Sequence, residues 1–173
     1  MAPALKEDYP QIEYAARMMP VGNLLVEREE KVFYEGRCWF AETDLPRILT
    51  IPLLEGDSRT ALERPMTVVI SRRLAEKYFE KELPVGQILN VQGFDLEITG
   101  VAADCPQNTH FKHEMLISFS TLEATGFGGL DEWFLGNFYT YVKLAPNTDL
   151  AALSEQLKGF AERHVGEELK ASG

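Results

Sequence analysis

The chain has 173 residues, 45% of them hydrophobic, and a formal net charge of −10. This length fits one domain, or one domain built from two small subdomains, and the apolar content excludes wholesale disorder. The acidic charge argues against nucleic acid and anionic lipid surfaces as partners, because both are bound through clusters of Lys and Arg.

Two membrane signals are missing from the sequence. No stretch approaches the roughly 20 apolar residues of a membrane-spanning helix, and residues 1–9 lack the apolar region of a signal peptide. Taken alone, these features predict a soluble cytoplasmic protein.

The first forty residues predict a sheet. Ile12–Met19 favours a strand, and Leu24–Glu27 with Lys31–Tyr34 favours a hairpin around a charged turn. Arg37–Ala41 is expected to continue that sheet. One face of the hairpin is expected to be exposed to solvent, because apolar and polar residues partly alternate along its strands.

A short helix and a polar segment follow the sheet. Thr43 or Asp44 is expected to cap a helix over Leu45–Leu49, because either side chain can accept a hydrogen bond from its first turn. Residues 53–57 are predicted to form a short apolar step and a turn. Residues 58–64 are polar and favour a single helical turn.

The centre of the chain carries the clearest alternation of elements. Val68–Ile70 is an apolar run long enough for a buried strand and too short for a helix. Ser71 is expected to cap the helix after it. The apolar face of that helix consists of Leu74, Ala75, Tyr78 and Phe79.

A turn at Pro84 and Gly86 leads into a predicted hairpin. Ile88–Val91 and Leu96–Val101 are rich in residues that favour strands. Gln92-Gly93 between them suits a two-residue hairpin turn, because both positions of such a turn require positive φ.

A polar loop follows the hairpin, with Asp104, Pro106, Asn108, Thr109 and His110 as its defining residues. The loop is expected to fold on itself. Asp104 and Asn108 are expected to accept hydrogen bonds from backbone N–H groups, as short polar side chains do in turns.

The residues after the loop predict a strand over Phe111–Phe119 with one buried face. Ser120 is expected to cap a turn over Thr121–Ala124, and Asn137–Leu144 favours another strand. These elements would return the chain to the sheet.

A final helix is predicted with Thr148 or Asp149 as its cap. Its apolar stripe is expected to consist of Leu150, Leu153, Leu157, Phe160, Ala161 and His164. Gly159 lowers the helix propensity of this segment by up to about 1 kcal/mol relative to Ala, so packing must stabilise it.

Four motifs occur in a fixed order: VVISRRLAEKYF, PVGQILNV, FDLEITGV and DCPQNTH. Each motif alone is only a turn or a cap, but the ordered set resembles the extracytoplasmic core domain of MacB-type, FtsX-like ABC transporter permeases. The resemblance covers roughly residues 9–165. The resemblance implies that the loop at residues 104–110 is a structural signature, and no catalytic role is carried over to it.

The resemblance implies an α+β fold in which a β-rich, sabre-like subdomain is inserted into a porter-like split α/β subdomain. The porter-like part would span about residues 9–70 and 132–168, and the insert about 71–131. Domains of this type lie on the periplasmic or extracytoplasmic face of a bacterial inner membrane, between two transmembrane helices. The chain would then be a soluble fragment of a membrane protein.

The resemblance also implies a mechanical function, in which the domain couples cytoplasmic ATP hydrolysis to periplasmic transport or signalling. The implied partners are a second permease copy, a separate cytoplasmic ATP-binding subunit or domain, and a periplasmic accessory protein. The alternative is a free-standing α+β ligand-binding module or small hydrolase. The exposed contact surfaces would be the Phe127 loop and the Leu24–Lys31 hairpin.

The sequence contains no nucleophile elbow, no P-loop and no H-E-x-x-H motif, so no catalytic or cofactor-binding residue is assigned. His110, His113 and Glu114 form one metal-like cluster. On a strand, His113 faces away from the other two, so solvated or loop-bonded histidines are favoured over a metal site.

The two cysteines lie far apart in the sequence. Cys38 and Cys105 can pair only if the fold brings their Cα atoms within about 7 Å, and two separate thiols are the default expectation. Cys105 stands where the family usually has an aliphatic residue, which favours a buried apolar role. A cysteine hydrolase would also need a histidine partner, which spacing alone does not supply.

Overall fold

The computed structural model describes residues 1–80, 82–130, 137–164 and 166, which contain the helices and strands given below and a further helical stretch at residues 160–164. The helices are α1 (Ala2–Asp8), α2 (Leu45–Ile48), α3 (Arg72–Phe79), α4 (Ser120–Ala124) and α5 (Leu150–Leu157). The strands are β1 (Ile12–Arg28), β2 (Lys31–Ala41), β3 (Leu53–Gly56), β4 (Thr67–Ser71), β5 (Ile88–Val91), β6 (Phe94–Ala102), β7 (Met115–Ser118) and β8 (Tyr139–Leu144).

These strands form one mixed sheet in the order β2-β7-β4-β6-β5-β1-β8, with β3 beside β6. β1 also pairs with β2, which is the first strand in this order. The strand pairings therefore form a closed series. β4 runs parallel to β6 and antiparallel to β7. This architecture confirms the predicted α+β class. The division at residues 9–70, 71–131 and 132–168 stays a prediction, and its second boundary lies outside the described residues.

β1 is the longest strand and connects most of the sheet. Its first part pairs with β8, its second part with β2, and Val26 and Glu27 pair with β5. The pairing with β2 shifts register around Gly22, whose φ of +71° suits a residue without a side chain. The predicted hairpin is confirmed, but its strands are longer than the sequence indicated.

The central strands are buried on both faces. Val68 and Ile70 of β4 pack in the same cluster as Leu74 of α3, whereas Val69 packs in a second cluster with Leu45 of α2. All four residues of β7 are buried as well. The prediction that residues 111–119 form a strand with a single buried face was therefore wrong, because the sheet is covered on both sides there.

The helix caps were predicted with mixed success. Ser71 accepts a hydrogen bond from the Leu74 N–H at 3.2 Å, which confirms the cap of α3. Asp44 is the N-cap residue of α2 but makes no side-chain capping bond, since its carboxylate pairs with Arg47. Ser120 does not cap α4 but is its first residue.

β3 was missed by the sequence analysis, which predicted a turn over residues 53–57. Leu53, Glu55 and Gly56 pair with β6, and Gly56 lies against the Thr99 carbonyl oxygen and Gly100. A strand of this length is too short to show a clear alternation of apolar and polar residues. Its existence depends on the approach of β6, which the local sequence does not encode.

Asp149 caps α5 by accepting hydrogen bonds from two backbone N–H groups of its first turn, as predicted. The apolar stripe of the final helix was overestimated. Leu153 and Phe160 are buried, but Leu150 is 66% and Leu157 36% exposed. α5 ends at Leu157 and Phe160 lies in the separate helical stretch at residues 160–164, so the predicted residues do not form one continuous stripe.

The first and last described segments of the chain pack together in a unit that we term the foot. Its apolar centre consists of Tyr9, Ile12, Leu153 and Phe160. The Tyr9 hydroxyl donates to the Gln156 carbonyl at 3.1 Å and accepts from Arg163 at 2.6 Å. His164 lies 2.8 Å from a carboxylate oxygen of Asp8. The foot therefore joins the two ends of the domain.

Candidate functional site

The signature loop at residues 104–110 is anchored to the start of α3. Oδ1 of Asp104 accepts from the backbone N–H of Arg73 at 2.9 Å, and Oδ2 accepts from the Arg72 guanidinium at 3.1 Å. A carboxylate at this position also interacts favourably with the helix dipole. Asp104 thus bonds a backbone N–H, as predicted, but one on α3 and not one within its own loop.

The rest of the loop is held by its own backbone and by Lys112. The Thr109 N–H donates to the Pro106 carbonyl, and Nζ of Lys112 donates to the carbonyls of Pro106 and Gln107. His110 approaches the Tyr141 hydroxyl at 3.3 Å. Among the described residues, the Asn108 side chain has no hydrogen-bond partner, contrary to the prediction, because Lys112 and the backbone supply the bonds that close the loop.

The turn at Pro84 and Gly86 lies at the start of β5 and does not join the loop. The N–H of Gln87 donates to the Pro84 carbonyl at 3.0 Å, and the N–H of Gly86 donates to Ile98 of β6 at 2.7 Å. Gly86 has a φ of +87°, a conformation that glycine adopts without steric cost.

We expect Asp104→Ala to lower the free energy of unfolding by about 1 kcal/mol, because α3 loses a carboxylate at its first turn. Asp104→Asn is the matched control, since its amide oxygen can still accept from the Arg73 N–H, and it should cost less. Urea denaturation measures both losses. Equal stability of the alanine variant and the wild type would contradict the anchoring role of Asp104.

An open cavity of about 660 Å³ lies between the loop, the start of α3 and the bend of β2 at Glu35–Arg37. Arg37, Arg73 and Lys112 contribute cationic groups to its wall. Cys105 and His113 lie on the loop side. This cavity is the candidate functional site.

Cys105 and His113 are in direct contact. Sγ of Cys105 lies 2.9 Å from Nδ1 of the His113 ring and accepts a hydrogen bond from the His113 backbone N–H at 3.2 Å. The His113 residue is only 5% exposed, and this burial lowers the pKa of its imidazole. The ring is therefore neutral at neutral pH and can accept a proton.

Glu114 is a buried carboxylate beside this pair. It accepts a hydrogen bond from the Ser71 hydroxyl at 2.5 Å and lies 2.9 Å from the Arg73 guanidinium and 3.7 Å from that of Arg37. The hydrogen bond to Glu114 raises the pKa of Arg73. Glu114 thus links β4, α3 and β2 at one wall of the cavity.

The metal-like cluster does not converge. His110 contacts Tyr141, His113 contacts Cys105, and Glu114 bonds Ser71. Within the described ranges, no group of three or more His, Cys, Asp or Glu side chains is arranged to hold a metal ion.

A second buried carboxylate, Glu35, lies at the other wall. It accepts hydrogen bonds from Nζ of Lys77 at 2.5 Å and from the Tyr78 hydroxyl at 2.9 Å. Burial and then the bond to Glu35 raise the pKa of Tyr78. Sequence analysis missed this group, because Glu35 is more than 40 positions from both partners.

The cysteines are unpaired, as expected by default. Cys38 is buried, whereas Cys105 is partly exposed at the cavity. The contact between Cys105 and His113 was not predicted, because residue spacing alone does not show that the two side chains meet. The loop fold, which returns the chain past its own start, brings the two residues together.

The chain belongs to the MacB-like periplasmic core domain family, whose sequence model matches residues 1–160. The family consists of extracytoplasmic domains of ABC transporter permeases, proteins that work with ATP-binding subunits. This membership overturns the cytoplasmic location expected from the missing membrane signals alone and places the domain outside the cytoplasm. In the described chain, no helix combines the length and hydropathy needed to cross a bilayer.

Solved structures with a similar fold include three from permeases and transporters. A domain assigned to a permease protein of Porphyromonas gingivalis superposes with a TM-score of 0.77 at 26% identity, over 95% of this chain and 76% of that one. The periplasmic region of MacB from Actinobacillus actinomycetemcomitans gives 0.72 at 14% identity, over 95% and 72% of the two chains. The extracellular domain of the ABC-type transporter YknZ from Gram-positive bacteria gives 0.63 at 18% identity, over 91% and 77%. No curated protein sequence matches the chain.

Proposed function

We propose that this domain couples ATP hydrolysis in a cytoplasmic subunit to a transport or signalling event outside the membrane, by moving as one rigid body. It would work in a membrane-embedded dimer, facing the same domain of a second permease copy. A periplasmic accessory protein would be a further partner. The proposed role is mechanical and includes no catalytic step.

The foot is the observation that supports this proposal most strongly. β1 and β8 pair from Ile12 with Leu144 to Met18 with Tyr139, so the two ends of the domain share a sheet edge. A domain inserted between two transmembrane helices receives their motion through both of its ends. Because the foot joins both ends, a helix displacement would turn the whole domain and not shear one end past the other.

β1 would carry this motion away from the foot. At about 3.3 Å per residue, its 17 residues extend about 50 Å to the hairpin tip at Glu29 and Glu30. The long hairpin with β2 stiffens the strand along its second part. A rotation of about 15°, as in known subunit rotations, would move the tip by about 13 Å.

The alternative of a small hydrolase has one supporting feature, the contact between Cys105 and His113. A hydrolytic cysteine also needs a third group that orients its histidine. Across the described residues, Nε2 of His113 approaches no hydrogen-bonding group other than the same sulfur at 4.0 Å. The mechanical role is therefore the better-supported function.

Spin labels at the hairpin tip test the proposal in the membrane-embedded permease with its ATP-binding partner. In a Cys105→Ala background, labels on Glu30→Cys in both copies should change their separation by several ångströms between nucleotide-free and ATP-bound states. Labels on Glu7→Cys at the foot should move less, because they are closer to the axis of rotation. The same separation at the tip in both states would refute the proposed coupling.

A further inference from the structure

The two cysteines of this chain have opposite chemical environments. Cys38 is 1% exposed, and burial, with smaller contributions from Glu35 and Glu114, raises the pKa of its thiol to about 12. Cys105 opens into the 660 Å³ cavity and touches His113. Because the thiolate is the reactive form, Cys38 should be inert and Cys105 available.

Both the ring and the backbone of His113 contact the Cys105 sulfur. In the tautomer that carries its proton on Nε2, Nδ1 of His113 accepts from the S–H group at 2.9 Å, and the His113 backbone N–H donates to the sulfur. That N–H would stabilise the negative charge on a thiolate. His113 is itself buried and lines the cavity, so proton acceptor and sulfur occupy the same wall.

The exposed charged groups that line the cavity are mainly cationic, although the whole chain is acidic. Arg37 and Arg73 are more than half exposed there, and Lys112 is partly exposed. Three carboxylates also line the cavity: Glu35 and Glu114 are buried, at 4% and 7% exposure, and the exposed Asp104 is paired with Arg72 and with the backbone N–H of Arg73. An incoming molecule therefore meets the cationic groups first, and an anion should be favoured.

We propose that Cys105 is a thiol-exchange site that reacts with a small anionic disulfide and holds half of it in this cavity as a mixed disulfide. A volume of about 660 Å³ lies within the usual range for small-molecule sites. The extracytoplasmic location of the domain also favours disulfide chemistry, since compartments outside the cytoplasm are generally oxidising.

The exchange balances without any further reactant. The S–H proton of Cys105 passes to Nδ1 of His113, and the thiolate attacks one sulfur of the disulfide. The S–S bond of the reagent breaks as the new one forms, so the Cys105 sulfur is oxidised and the departing sulfur is reduced. The departing thiolate takes the proton from His113 and leaves as a thiol.

Charge selectivity is the first test, and it needs no variant. The purified domain is incubated with oxidised glutathione, which is anionic, with neutral hydroxyethyl disulfide, or with cationic cystamine, and adducts are followed by mass spectrometry and peptide mapping. We expect a single adduct on Cys105, formed at least about tenfold faster with oxidised glutathione than with cystamine. The net charge of −10 alone would favour the opposite order.

Variants test the roles of the neighbouring residues. His113→Gln should slow the exchange about a hundredfold, at the lower end of general-base contributions. Arg73→Gln should reduce the preference for the anionic reagent without abolishing the reaction. Circular dichroism checks that each variant folds. If a variant does not fold, the comparison of the three reagents on the wild-type protein still tests the proposal.

Three outcomes would overturn the proposal. One is modification of Cys38 in preference to Cys105. Another is a Cys105 rate equal to that of the urea-unfolded chain, which would mean that the fold contributes nothing. The third is faster reaction with cystamine than with oxidised glutathione, since the cavity would then have no preference for anions.

Discussion

Replacing Gly56 by alanine should destabilise the domain by about 3 kcal/mol, which combines the cost of a left-handed backbone with that of overpacking. Gly56 has a φ of +88°, and an added Cβ would lie 2.3 Å from the Thr99 carbonyl oxygen and 2.8 Å from Cα of Gly100. Both contacts are with backbone, so β3 would have to move away from β6. Urea denaturation measures the loss.

Gly86→Ala is the matched control for Gly56→Ala. Its φ of +87° imposes nearly the same backbone strain, but an added Cβ would meet no atom within 4 Å. We expect a loss of about 1 kcal/mol from backbone conformation alone. Equal losses for the two variants would mean that the close approach of β3 to β6 does not exist in solution.

Lys77→Met should lower the free energy of unfolding by about 2 kcal/mol, because it leaves the Glu35 carboxylate buried without its cation. Lys77 keeps 31% of its side chain exposed, which places the loss below that of a fully buried pair. Methionine retains apolar contact with the Phe33 ring, over which Nζ lies at 3.8 Å. The substitution therefore removes the charge of Lys77 and keeps its apolar contact.

Two further variants complete this experiment. Adding Glu35→Gln to Lys77→Met removes the orphaned charge and keeps an acceptor for the Tyr78 hydroxyl, so it should recover part of the lost stability. Lys158→Met breaks an exposed pair with Glu155 and should change stability by less than about 0.5 kcal/mol. No recovery in the double variant would contradict the assignment of Glu35 as a buried charge that needs Lys77.

The elements that were predicted well are those specified by neighbouring residues. β4 and α3 follow from an apolar run, a serine cap and a helical apolar face, and the structure contains all three. The hairpin of β5 and β6 follows from its turn, where Gln92 and Gly93 both have positive φ. Local signals of this kind need no knowledge of the rest of the chain.

The features that were missed depend on contacts between distant segments. β3 exists only because β6 lies beside it, and the strands β4 and β7 are buried on both faces only because helices cover each side of the sheet. The candidate site has the same origin. Cys105 meets His113 because the signature loop folds back, and Glu35 meets Lys77 because β2 lies beside α3.

Rigid-body transmission from the foot to the hairpin tip underlies the proposed function. It is tested most directly by the distance between labels on Glu7→Cys and Glu30→Cys within one copy of the membrane-embedded permease, in a Cys105→Ala background, with and without ATP. We expect this distance to stay constant while the tips of the two copies move relative to each other. A change of several ångströms within one copy, with the tips fixed, would contradict rigid-body transmission.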